Sequence, residues 1–86
     1  MEITVKVNYK NDNLQKLRQA AGLSQSQIAN VAGVSVRVYQ NYEQGVRDIS
    51  KAQLSTLLRI CKVLNCKLSE IVTDAETSEL LAEYEN

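Results

Sequence analysis

The chain has 86 residues, 44% of them hydrophobic, with ten basic and ten acidic side chains and a formal net charge of zero. That length supports one modest core. With no His, Trp, Phe or Pro and only Cys61 and Cys66 as thiols, the parts of the common catalytic triads and zinc sites are missing, so no enzyme, metal or other cofactor is expected.

The charges are unevenly placed. All ten Lys and Arg lie at or before Lys67, where they face only Glu2, Asp12, Glu43 and Asp48; the last nineteen residues carry Glu70, Asp74, Glu76, Glu79, Glu83 and Glu85 and no base. A basic body with an acidic end fits interaction with nucleic acid or a partner, and an acidic end that is simply solvated fits equally. No apolar run approaches the length of a membrane span, and the N-terminus does not form a signal-peptide core, so a soluble cytoplasmic, nucleoid-associated protein is expected. Cys61 and Cys66 sit five positions apart in an apolar helical pattern and read as reduced core thiols.

In chain order, residues 2 to 10 alternate strictly, with Ile3, Val5, Val7 and Tyr9 on one face. That period of two, rich in β-branched residues, predicts a strand. In an otherwise helical chain it has no strand to pair with. An antiparallel pairing with the same segment of a second subunit would make it the arm of a homodimer, and a docked or unpaired arm is the plainer alternative.

From Asn13 the period becomes helical, and Leu14, Leu17 and Ala21 mark a first helix that Gly22 stops. Ser24 and Gln27 make a capping box for a second helix, with Leu23 and Ile28 at the staple positions. Ser35 caps a third, and Gly33 and Gly45 terminate the second and third. Ser50 with Gln53 repeats the box for a fourth helix at about 51 to 64, with Leu54, Leu57, Leu58, Cys61 and Leu64 on its apolar stripe and Asn65 as its stop. Leu68, Ile71 and Val72 suggest a short fifth helix, and Asp74 to Tyr84 a last helix or a frayed tail.

Only Gly33 and Val34 separate the second helix from the cap of the third. Such a tight turn lets one helix brace another against a duplex, and it also occurs in ordinary helical hairpins. Ala29 allows the two helices to approach, while Ile28, Ala32, Tyr39 and Tyr42 close their interface. With Ser35 as cap, residues 36, 37, 40 and 41 project away from Tyr39 and Tyr42. Val36, Arg37, Gln40 and Asn41 are therefore the candidate base contacts: Arg37 suits guanine, Gln40 or Asn41 suits adenine, and Val36 suits a thymine methyl. Gln25, at the start of the second helix, is a candidate phosphate contact.

Residues 17 to 48 resemble the lambda-repressor-like, Cro and XRE family of helix-turn-helix domains. The resemblance is carried by Gly22-Leu23-Ser24-Gln25, Ile28-Ala29, Gly33-Val34-Ser35, Tyr42-Glu43 and Gly45, and it extends through the Leu54 to Val72 pattern to cover about residues 13 to 73. The chain departs from the family at Tyr39, Ile49, Asn65 and Lys67, all outside the turn. The resemblance implies that Gln44 and Arg47 hold the opposite phosphate rail and that Arg18 of the first helix pairs with Glu43 of the third.

Taken together, these features lead us to expect an all-α, compact five-helix helix-turn-helix domain at 11–73, preceded by a strand arm at 1–10 and followed by an acidic tail or helix at 74–86. The expected function is a sequence-specific regulator of transcription, a repressor, acting as a homodimer on a palindromic double-stranded operator. An antitoxin-like or adaptor protein that binds a protein partner through the strand or tail is the alternative. A Cys61–Cys66 redox pair would require an accessible thiol of low pKa.

Overall fold

The computed structural model describes residues 11–85. The expected N-terminal strand and its dimer residues Ile3, Val5, Val7 and Tyr9 lie outside the described residues. Within them the elements are α1 (Asp12–Ala20), α2 (Gln25–Ala32), α3 (Val36–Gln44), a 3-10 turn (Ile49–Lys51), α4 (Leu54–Leu64), α5 (Leu68–Ile71) and α6 (Ala75–Glu85). The described part is all-α, and none of its helices is long and apolar enough to cross a membrane.

The core forms where α2 packs on both α3 and α4, with α1 closing against α3 and α5. Leu14, Ile28, Tyr39, Ile60 and Ile71 are fully enclosed there. Burying their apolar surface supplies most of the drive to fold, since short helices are marginal in water by themselves. Ala29 and Ala32 are each 1% exposed. Their small side chains let the α3 backbone come close to α2.

The helix ends follow local hydrogen-bonding rules. Ser24 accepts from the Gln27 N–H at 3.1 Å while the Gln27 side chain accepts from the Ser24 N–H at 2.8 Å, so both halves of the capping box form. Ser35 accepts from the Val38 N–H at 3.1 Å. Between these caps Gly33 closes α2 with φ +77°, and its N–H reaches the Ala29 and Asn30 carbonyls. A β-carbon there would stand 2.8 Å from the Arg59 Nη1, a flexible chain end that can swing aside. Gly33→Ala is therefore expected to cost about 1–2 kcal/mol, set by the left-handed backbone. Urea unfolding should show a lower midpoint with an unchanged slope.

The first helix is anchored by a residue that the apolar pattern does not mark. Asn11 is 1% exposed and caps α1 by accepting from the Leu14 N–H at 3.1 Å. Its Nδ2 donates to the Ile71 carbonyl at 2.6 Å, which ties the start of α1 to the end of α5.

The fourth helix corrects the sequence expectation. Asp48 accepts from the Ser50 N–H at 2.9 Å and caps the 3-10 turn, so α4 begins only at Leu54, with Gln53 at its cap position making no side-chain bond. The Ser50 hydroxyl, expected to cap α4, instead accepts from the backbone N–H groups of Thr73 and Asp74 at 3.2 and 3.3 Å. The apolar stripe is narrower than expected: Leu57, Ile60, Cys61 and Leu64 are buried, whereas Leu54 and Leu58 are 61% and 51% exposed. Asn65 ends α4 in the left-handed conformation, φ 54°.

The C-terminal segment is helical. Asp74 caps α6 by accepting from the Thr77 N–H and hydroxyl at 2.9 and 2.7 Å. Those bonds from Thr77 hold the Asp74 carboxyl below its usual range. The Ser78 hydroxyl donates to the Val72 carbonyl at 3.1 Å. No described residue of α6 is buried, and Leu80 and Tyr84 stand out from it 57% and 89% exposed.

Candidate nucleic-acid interface

Helix α3 has two sharply different sides. Tyr39, Tyr42 and Glu43 are buried, and Val38 packs against the core from its edge. The opposite side carries Val36, Arg37 and Gln44, all exposed, with Gln40 and Asn41 half-buried beside them. All four candidate base contacts thus lie on the face that the core leaves free. Its chemistry is one guanidinium, three carboxamides and a branched apolar group, a mixture suited to the donors, acceptors and methyl groups of a major-groove edge.

Gly45 ends α3 in the left-handed conformation, φ 84°. The N–H groups of Val46 and Arg47 both donate to the Asn41 carbonyl, at 2.9 and 3.1 Å. Arg47 is exposed and, with Lys51, lines a cleft shared with Tyr42, Asp48, Ala52 and Asp74. Two cations therefore flank the C-terminal end of α3, and two carboxylates stand beside them.

Beneath the free face lies a connected polar network. The Arg18 guanidinium donates to Glu43 from Nε at 2.6 Å and from Nη2 at 3.3 Å, a bidentate pair that joins α1 to α3. Its Nη1 donates to the Leu23 carbonyl at 2.9 Å. The pair is well enclosed, with side chains 13% and 4% exposed. Burial pushes the Glu43 carboxyl up, but the hydrogen bonds from its neighbours, Arg18 foremost, win and hold it below its ordinary value. The same pairing raises the Arg18 pKa.

Tyr39 lies beside the pair, and its fully buried hydroxyl falls short of a hydrogen bond to either charge. Burial pushes its pKa far above the usual phenol value, so Tyr39 stays neutral.

Gln25 stands at the start of α2, as expected, and also bridges to α3. Its Nε2 donates to Glu43 at 3.1 Å, and its Oε1 accepts from the Gln40 Nε2 at 3.1 Å. Spacing along the sequence could not reveal this bridge, because it joins residues fifteen and eighteen positions apart across the turn.

The two thiols sit at the end of α4, where the Cys66 N–H donates to the Cys61 carbonyl at 3.0 Å. Burial, with Cys66 as the next contributor, pushes Cys61 up to about 12, and burial also raises Cys66. Both thiols are held in the protonated form, the opposite of what a reactive redox pair needs.

Comparison with known proteins agrees with this geometry. Residues 14–71 match the family model HTH_3, described as helix-turn-helix. Among solved structures, the restriction-modification controller protein C.AhdI from Aeromonas hydrophila is similar at a TM-score of 0.61 and 28% identity, over 76% of this chain and 92% of that one. The clp gene regulator ClgR from C. glutamicum is similar at a TM-score of 0.60 over 80% of this chain and 86% of that one; at 16% identity the likeness is one of fold. A search of curated proteins finds no match.

Proposed function

The chain belongs to the XRE, lambda-repressor-like helix-turn-helix family of DNA-binding transcriptional regulators, and from that premise we propose that it is a sequence-specific repressor that inserts α3 into the major groove. The observation that carries this reading is the free face of α3, where Val36, Arg37, Gln40 and Asn41 lie together, opposite the buried Tyr39, Tyr42 and Glu43. Arg37 is assigned to a guanine, Asn41 and Gln40 to adenine edges and Val36 to a thymine methyl. Gln44 and Arg47 are assigned to the phosphates along the same groove, where they position the helix without reading sequence. Seated this way, the protein occludes its site and so represses.

The active form is proposed to be a homodimer on a palindromic operator, which places two copies of α3 about one helical turn apart. The likeness to a restriction-modification controller protein supports a regulator of this compact type. A protein-partner role of the antitoxin or adaptor kind draws support from α6, an acidic helix that leaves Leu80 and Tyr84 open. It would add to DNA binding, since α6 packs against α5.

Titrating Arg37→Ala and Arg47→Ala against a bound site and its single-base variants tests these roles. Arg37→Ala should relax one base position at a cost of about 1–3 kcal/mol, while Arg47→Ala should weaken all sequences evenly and lower the salt slope by about one. Equal, sequence-blind losses from both would remove the specific assignment of Arg37.

A further inference from the structure

We infer that α6 is a docking helix for a second copy of this chain: its outward face seats in the groove between α2 and α4 of the partner copy, and a twofold axis makes the exchange reciprocal. This deepens the homodimer reading and rests on it, but not on the assignment of α3. The helix-turn-helix match ends at residue 71, and α6 follows it.

The helix carries Glu76, Glu79, Glu83 and Glu85 and no base. Residues four apart stack along one side of a helix. Glu76, Leu80 and Tyr84 therefore form one row and Glu79 and Glu83 the row beside it, and all five are exposed. Thr77, Ser78 and Leu81, half-buried, make the other side, where the Ser78 hydroxyl donates to the Val72 carbonyl. The base of α6 is fixed by Asp74 as its cap and by the Ser50 hydroxyl, which accepts from the N–H groups of Thr73 and Asp74. A helix held this way is presented already ordered, so a partner that binds it loses little freedom. Tyr84 is 89% exposed, and aromatic side chains gain much from being covered.

The chain itself holds the matching surface. Val31 of α2 and Val63 of α4 line an open groove together with Arg59 and Lys62. Val31 is exposed and Val63 half-buried, so apolar surface there is open to a partner. Among the described residues neither Arg59 nor Lys62 makes an ion pair. Apolar surface edged by two unpaired cations is the complement of an apolar row edged by carboxylates. Leu80 and Tyr84 cover Val31 and Val63, and Glu79 and Glu83 meet Arg59 and Lys62. One such contact is small against the roughly 1,200–2,000 Å² that stable interfaces bury. A twofold axis forms it twice, because each copy owns one helix and one groove.

Sedimentation of the full chain without DNA, over a range of concentrations at low and high salt, tests this docking. The wild type should form a dimer that high salt weakens. Arg59→Glu with Lys62→Glu, and separately Glu79→Lys with Glu83→Lys, should each raise the dimer dissociation constant about tenfold or more, because like charges then face each other across the contact. The fourfold variant, with both sets reversed, should recover most of the wild-type affinity. Tyr84→Ala should weaken the dimer by a similar factor and leave its salt dependence in place. All these side chains are exposed, and circular dichroism melts set a temperature at which every variant is folded. A dimer that neither reversal weakens would overturn the docking of α6 and leave the homodimer reading standing. So would a loss from one reversal alone, or losses that the fourfold variant does not recover. A chain that stays monomeric at every concentration would overturn both.

Discussion

Arg18→Ala is expected to destabilise the fold by about 3–5 kcal/mol, because it leaves the Glu43 carboxylate enclosed without its counter-charge. The Glu43 side chain is 4% exposed and has only Gln25 as a remaining side-chain donor among the described residues. The double replacement Arg18→Met with Glu43→Leu should recover most of that loss, since it removes both charges from the interior. Chemical denaturation of the three proteins measures this directly; a double variant that loses as much as Arg18→Ala would show that the stranded Glu43 charge is not what the single replacement costs.

The pH dependence of the two single-charge states should have opposite signs. In the wild type the folded Glu43 pKa lies below its ordinary value of 4.5. Its contribution is thus complete above that ordinary value and is lost as pH falls through the lower folded value. Without Arg18, burial is left as the dominant influence and raises the folded pKa. The contribution of Glu43 then turns against folding as pH rises through the ordinary value. Acidification should relieve Arg18→Ala as pH falls toward the ordinary value and weaken the wild type as pH falls below it.

The second large effect concerns the core behind the reading helix. Ile60 is fully enclosed on α4, which packs against α2 and away from the free face of α3. Ile60→Ala is expected to cost about 2–5 kcal/mol through lost burial and the cavity left behind, a large share of the roughly 5–15 kcal/mol that holds a typical domain. Its base preferences at a temperature where it remains folded should match those of the wild type. A changed preference at any single position would mean that the core is coupled to recognition beyond holding α3 in place.

The legibility of this fold in its sequence varied by element for physical reasons. Helices α2 and α3 are announced by short-range chemistry, because Ser24, Gln27, Ser35, Gly33 and Gly45 act on backbone groups within a few residues. The start of α4 was misplaced for the opposite reason. Ser50 carries the local signature of a cap, but its hydroxyl is captured by Thr73 and Asp74, more than twenty residues away. Asp48 meanwhile takes the Ser50 N–H and diverts the chain into a 3-10 turn.

At the candidate site, periodicity was enough to separate the free face of α3 from its buried one. The proximity of Arg18 to Glu43 was foreshadowed only by the family pattern, since no local rule links residues twenty-five positions apart. Gln25 carries contacts that position along the chain does not announce. A polar residue at a helix start suggests an anion ligand, and its position alone says nothing of the bridge its amide makes to Glu43 and Gln40 across the turn.

The most direct test of the reading of α3 is selection of bound duplexes from a random pool at moderate salt, run in parallel with the wild type and Arg37→Ala. The wild type should enrich a defined palindromic sequence, and Arg37→Ala should enrich the same sequence with one position in each half relaxed. Failure of the wild type to enrich any sequence, or identical enrichment by both proteins, would contradict the assignment of α3 and Arg37 as the reader.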